Sequence, residues 1–157
     1  MRDEASQNLE DLAREVFEIT KINWLATQRS KTDTQYDLSE TEFLTLDALE
    51  EHHCLTVGTL QRRIHVLPAQ MSRIIKSLET KYDSPLINCA INAQDKRKVD
   101  VRLTEAGLKA VDAFRRRKTN QIIASLRNIS LQDQQDLIRI VRALRQAMDA
   151  LMPAEHR

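Results

Sequence analysis

The chain has 157 residues, with 24 Lys and Arg against 23 Asp and Glu, 41% hydrophobic residues and only 4% aromatic ones. Its two glycines and three prolines fall well below ordinary usage, about 7% for glycine alone; this excludes a turn-rich β-sandwich, and Gly58 and Gly107 cannot by themselves write a phosphate-cradling glycine loop. The net charge of +1 conceals a segregation: residues 1–54 carry 5 basic against 13 acidic side chains and residues 55–118 carry 14 against 6, a distribution that suits either a basic face meeting a polyanion or acidic and basic segments pairing with each other.

The start, Met1-Arg2-Asp3-Glu4-Ala5, lacks the apolar stretch of a signal peptide. No run of about 18 apolar residues exists to span a bilayer. With only Cys54 and Cys89, a reduced cytoplasmic setting is expected. From Glu4 to Arg29 the apolar residues Leu9, Leu12, Val16, Ile19, Ile22, Trp24 and Leu25 recur mostly at three- and four-residue intervals, which predicts an amphipathic helix. Polar residues 30–35 end it. Ser39, with Glu42 three residues on, writes a capping box for a second helix that turns Phe43, Leu46 and Leu49 inward.

Thr56 caps a short third helix with Val57, Leu60 and Ile64 inward. After His65-Val66-Leu67, Pro68 opens a fourth helix with Met71, Ile74, Ile75 and Leu78 inward and Gln70, Ser72, Arg73 and Lys76 outward. Two short helices so joined, the second polar and basic outside, form a helix-turn-helix pattern. The period then changes to two: Ile87, Cys89 and Ile91, then Val99, Val101 and Leu103, predict a β-hairpin whose tip is Asp95-Lys96-Arg97-Lys98. Thr104 caps a long helix with Leu108, Val111, Phe114, Ile122 and Leu126 inward. Ser130 caps a last one, with Asp133 at the capping-box position. The seam of that last helix, Leu137, Val141, Leu144, Met148 and Leu151, alternates four- and three-residue steps, the stripe by which helices pack on helices.

The expected fold is therefore mainly α with a small β-hairpin, a winged helix-turn-helix carrying helical segments at both termini. Within one compact domain the expected divisions are 1–37, 38–104 and 105–157. From about Leu38 to Leu108 the residues resemble the MarR-type winged-helix transcriptional regulators. The resemblance rests on Leu38-Ser39-x-x-Glu42-Phe43, Thr56-Val57-x-x-Leu60, Gln70-Met71-Ser72-Arg73-Ile74-Ile75-x-x-Leu78-Glu79, Leu86-Ile87, Asp95-x-Arg97 and Leu103-Thr104-Glu105-Ala106-Gly107. The chain departs from the pattern at His65, where a turn glycine is usual, and at Gln61. It departs again at Asp83-Ser84-Pro85 and at Cys89, which replaces a basic residue.

The resemblance implies a homodimer that binds pseudo-palindromic duplex DNA, with a small-molecule effector acting near the dimer interface; repression is expected because a dimer covering a promoter blocks polymerase without further machinery. It implies DNA contacts from Gln70, Ser72, Arg73 and Lys76 and from the wing residues Asp95, Lys96, Arg97 and Lys98. Dimer contacts are expected from Leu12, Val16 and Ile19 and from the seam Leu137, Val141, Leu144, Met148 and Leu151. Trp24, Phe43 and Leu46 are candidate lining for an effector pocket, although core packing explains them equally well. Arg115-Arg116-Arg117-Lys118 spreads over about 300° of helix and reads mostly as a solvated face.

No cofactor is expected. His52, His53, Cys54 and His65 lack zinc-ligand spacing. No Gly-x-Ser-x-Gly elbow or catalytic triad can be assembled, so an enzyme is not expected. Two alternatives stand: a winged-helix module that binds protein, favoured by Cys89 in place of a basic residue, and a thiol-based redox sensor using Cys54 or Cys89.

Overall fold

The computed structural model describes residues 2–29 and 35–151, with the side chains of 6–23, 25–26 and 35–151. The chain divides into two compact units, residues 1–37 and 38–157. The first holds one helix, α1 (Arg2–Arg29). Its apolar residues Leu9, Leu12, Val16, Ile19, Ile22 and Leu25 are exposed.

The second unit runs α2 (Glu40–His52), β1 (Cys54–Thr56), α3 (Val57–Ile64), α4 (Pro68–Thr80), β2 (Ile87–Ile91), β3 (Val99–Leu103), α5 (Glu105–Leu126) and α6 (Leu131–Leu151). Local chemistry places the helix starts. The Ser39 hydroxyl accepts from the Glu42 amide while the Glu42 carboxylate accepts from the Ser39 amide, the capping box expected. Thr56 and Thr104 accept from the amides of Thr59 and Gly107, and Ser130 from that of Asp133. The Asp133 carboxylate is too short for a full capping box and instead accepts from the Ser130 hydroxyl at 2.6 Å.

The hairpin is part of a three-stranded antiparallel sheet of order β1-β3-β2. Strand β1 carries no alternating pattern, because three residues are too few to show one. Its register against β3, Leu55 opposite Val101, brings together residues 46 positions apart. The core is built from Leu46 and Leu49 of α2, Leu60 of α3, Met71 and Leu78 of α4, Leu86, Ile87, Val101, and Val111 of α5.

Helix α5 buries Gly107, Ala110, Val111 and Phe114, but Leu108, which lies beside that buried row, and Ile122, both expected inward, are exposed. Past Phe114 the described elements of this unit leave that face uncovered. Similarly, Ile91 is 70% exposed although it continues the face of buried Ile87; α4 supports β2, but the end of the hairpin projects beyond that support. No residue of α6 is buried among the described residues.

Candidate nucleic-acid interface

The turn between α3 and α4 is set by one unusual backbone. His65 closes α3 in the left-handed region at φ 55°, ψ 45°, the conformation expected where a turn glycine is usual and one that His tolerates better than most residues. His53 likewise closes α2 at positive φ, 61°. These two histidines terminate helices.

Pro68 then starts α4, whose Met71, Ile74 and Leu78 are buried and whose Gln70, Ser72, Arg73 and Lys76 are all exposed. Arg73 and Lys76 form no ion pair among the described residues, nor does Lys96 on the wing. The far end of α4 is tied back to α2: Ser77 Oγ donates to Glu42 Oε1 at 2.6 Å, and Lys81 Nζ lies 3.9 Å from Glu42 Oε2. Burial by itself would raise the Glu42 pKa. The hydrogen bonds from Ser77 and Ser39 and the charge of Lys81 outweigh it and hold the carboxyl below its ordinary value.

The wing tip is organised by Asn92, which the period-2 pattern did not single out. Its Oδ1 accepts from the amides of Gln94 and Asp95 at 2.9 and 2.8 Å, an Asx turn, and its Nδ2 donates to both Asp100 oxygens. Asp95 is thereby fixed, and its Oδ1 accepts from Nε of Arg97 at 3.1 Å while Lys98 Nζ lies 3.5 Å from Oδ2. The hydrogen bonds from the Arg97 side chain and backbone, with help from Lys98, lower the Asp95 pKa. The carboxylate thus orients the Arg97 guanidinium, which remains exposed at the tip.

The charge segregation resolves into two parts. Arg115 pairs with Asp47 and Glu50, and Lys118 with Glu40 at 3.4 Å, so half of the basic run on α5 clasps acidic α2 and is not simply a solvated face. Glu51 pairs with Arg63 at 3.0 Å. The basic groups of α4 and the wing tip lie outside that pairing. Sequence spacing could not divide them, since the partners are up to 78 residues apart.

Of the expected pocket residues, Leu46 is completely buried and Phe43 stacks on Phe114, ring centroids 4.2 Å apart, with Arg117 and Lys118 over the Phe114 ring. Core packing accounts for both. The Trp24 side chain lies outside the described residues. Leu12, Val16 and Ile19 on α1, and Leu137, Val141, Leu144, Met148 and Leu151 on α6, are exposed.

The cysteines sit on the two outer strands of the sheet. Two strand spacings, about 9–10 Å, separate β1 from β2, beyond the roughly 7 Å that a disulfide spans between Cα atoms. Burial, then the neighbouring Glu79 carboxylate, pushes the Cys89 thiol up to about 12, which suppresses the reactive thiolate.

The sequence profile of the MarR family matches residues 38–99. No curated protein sequence matches the chain. Among solved structures, a MarR family protein from Bacillus stearothermophilus is similar with a TM-score of 0.75 and 19% identity, over 92% of this chain and 97% of that one. The YusO protein from Bacillus subtilis gives 0.70 and 19%, over 94% and 99%. The PcaV transcriptional regulator from Streptomyces coelicolor gives 0.59 and 18%, over 88% and 96%.

Proposed function

We propose, from the premise that residues 38–99 form a MarR-type winged helix, that the chain is a sequence-specific transcriptional regulator that binds duplex DNA as a homodimer. The observation that carries this reading is the division of charge. The exposed Gln70, Ser72, Arg73 and Lys76 of α4 lie outside the ion pairs that engage α2, and the wing presents an Arg97 already oriented by Asp95.

In a winged-helix dimer the two α4 helices enter successive major grooves with half-sites one helical turn, about 34–36 Å, apart. Gln70, on the first turn, suits bidentate bonding to adenine; Lys76, two turns in, suits a phosphate. Arg97 suits the narrow minor groove of A·T-rich flanks, where the negative potential is deepest.

The exposed apolar rows of α1 and α6 support the homodimer. Five large side chains of the α6 seam stand 37–85% exposed in the single chain, and covering what remains exposed is worth a corresponding share of the about 1.5–3 kcal/mol that full burial gives each. Repression belongs to the same proposal, since a dimer on a promoter blocks polymerase without further machinery. So does release by a small-molecule effector; of the described candidates for its pocket, Leu46 is fully buried and Phe43 half-buried against Phe114. The proposed setting is the cytoplasm, and among the described residues no helix is long and apolar enough to cross a membrane.

The test is a salt titration on duplexes recovered by selection from a random pool. Gln70→Ala is expected to relax preference at one base pair of each half-site, at a cost of about 1–3 kcal/mol per contact. Lys76→Ala is expected to weaken all sequences alike and reduce the salt slope by about 1 per phosphate lost. Identical sequence profiles and slopes for the two variants, or no duplex bound by the wild type, would sink the reading; the second outcome favours a module that binds protein.

A further inference from the structure

We infer that Leu67 is a specificity-determining residue that reads the 5-methyl group of thymine; the inference rests on the DNA-binding reading above. Four helices of the 38–157 unit, α2, α3, α5 and α6, begin with a hydroxyl, Ser39, Thr56, Thr104 or Ser130, that accepts from the amide three residues on. Helix α4 alone among the described helices of this unit begins with leucine. Leu67 has the extended backbone of an N-cap, φ −70° and ψ 153°, yet its side chain makes no capping bond. A serine there would fit the geometry and stabilise the helix.

Nor does Leu67 compensate by packing. It is 74% exposed, and the positions of an N-terminal hydrophobic staple belong to Val66 and Met71. Among the described residues, a local rule is therefore broken at a solvent-facing position with no intramolecular gain, the kind of position where function is expected to override local stability. Its surroundings say what it meets. Leu67 stands at the leading end of α4, one turn before Gln70, with the left-handed His65 fixing the approach. An isobutyl group gains nothing from a phosphate. Among base edges in the major groove, the thymine methyl is the apolar feature that it can cover.

The experiment uses a duplex selected from a random pool, and versions in which single thymines of each half-site are replaced by deoxyuridine, which differs only by the lost methyl. At one thymine position the wild type is expected to lose about fourfold in affinity per half-site and roughly fifteenfold when both are replaced. Leu67→Ser is expected to bind the thymine and deoxyuridine duplexes alike, keep its oligomeric state and gain about 2–4 °C in Tm from the new cap. Leu67→Ala, which adds no cap, must lose the same methyl sensitivity. Wild-type indifference to deoxyuridine at every position overturns the inference, as does sensitivity at that position that survives in either variant or a changed oligomeric state. A wild type that selects no duplex overturns the DNA-binding reading itself and this inference with it.

Discussion

The Ser77 hydroxyl donates to the Glu42 carboxylate at 2.6 Å across 35 residues of sequence, joining the first turn of α2 to the far end of α4. The same carboxylate closes the α2 capping box at 2.7 Å, so one side chain only 6% exposed both starts one helix and anchors the next-but-one. A hydrogen bond to a charged partner is worth about 1.5–3 kcal/mol. A double-mutant cycle of Glu42→Ala and Ser77→Ala at neutral pH is predicted to show coupling of that order. Because the folded pKa of Glu42 is lowered, its contribution is fully present above the unfolded value, about 4.3. It is lost as pH falls through the lower folded value. Urea titrations across that range check this; a coupling energy that grows on acidification would refute it.

The two glycines are predicted to respond oppositely to alanine. A Cβ on Gly107 would lie 2.2 Å from the Leu86 carbonyl oxygen and 2.6 Å from a Leu103 methyl, backbone and core that cannot both yield. Gly107→Ala is expected to cost about 1–3 kcal/mol or more. On Gly58 the nearest atom is Arg62 Nη1 at 3.9 Å, so Gly58→Ala is expected to be neutral or to stabilise by about 0.4–1 kcal/mol. Thermal melts of both variants decide it, and equal losses would be the wrong outcome.

Leu144→Asp is predicted to abolish dimers and DNA binding together, by placing a charge in the middle of the α6 seam. Sedimentation at micromolar concentration reads the first effect and a duplex titration the second. A wild type that sediments as a stable monomer would end the dimer proposal.

Peroxide is predicted to leave DNA binding unchanged. The Cys89 thiol, pushed up to about 12 by burial and by Glu79, is almost wholly protonated at neutral pH, and the thiol form is a poor nucleophile. Loss of binding on peroxide treatment that disappears in Cys54→Ser or Cys89→Ser would establish the sensor that this geometry disfavours.

What was legible in the sequence was whatever chemistry spans three or four residues. The hydroxyl caps at Ser39, Thr56, Thr104 and Ser130, the i, i+3, i+4 rows and the alternation of β2 and β3 placed the described helices of the 38–157 unit and its wing, because these signals depend only on a residue and its near neighbours. The outward set on α4 was legible for the same reason, as the complement of Met71, Ile74 and Leu78. Tertiary structure alone decided the rest. Strand β1 exists because β3 offers it a free edge 46 residues away. Arg115 and Lys118 are clasps because α5 lies along acidic α2, and Ile91 and Ile122 are exposed because nothing described in their unit covers them. A hydrophobic period records which side chains share a face. Whether that face meets the core, a second copy or solvent depends on what the rest of the chain brings against it, and no local window of sequence contains that.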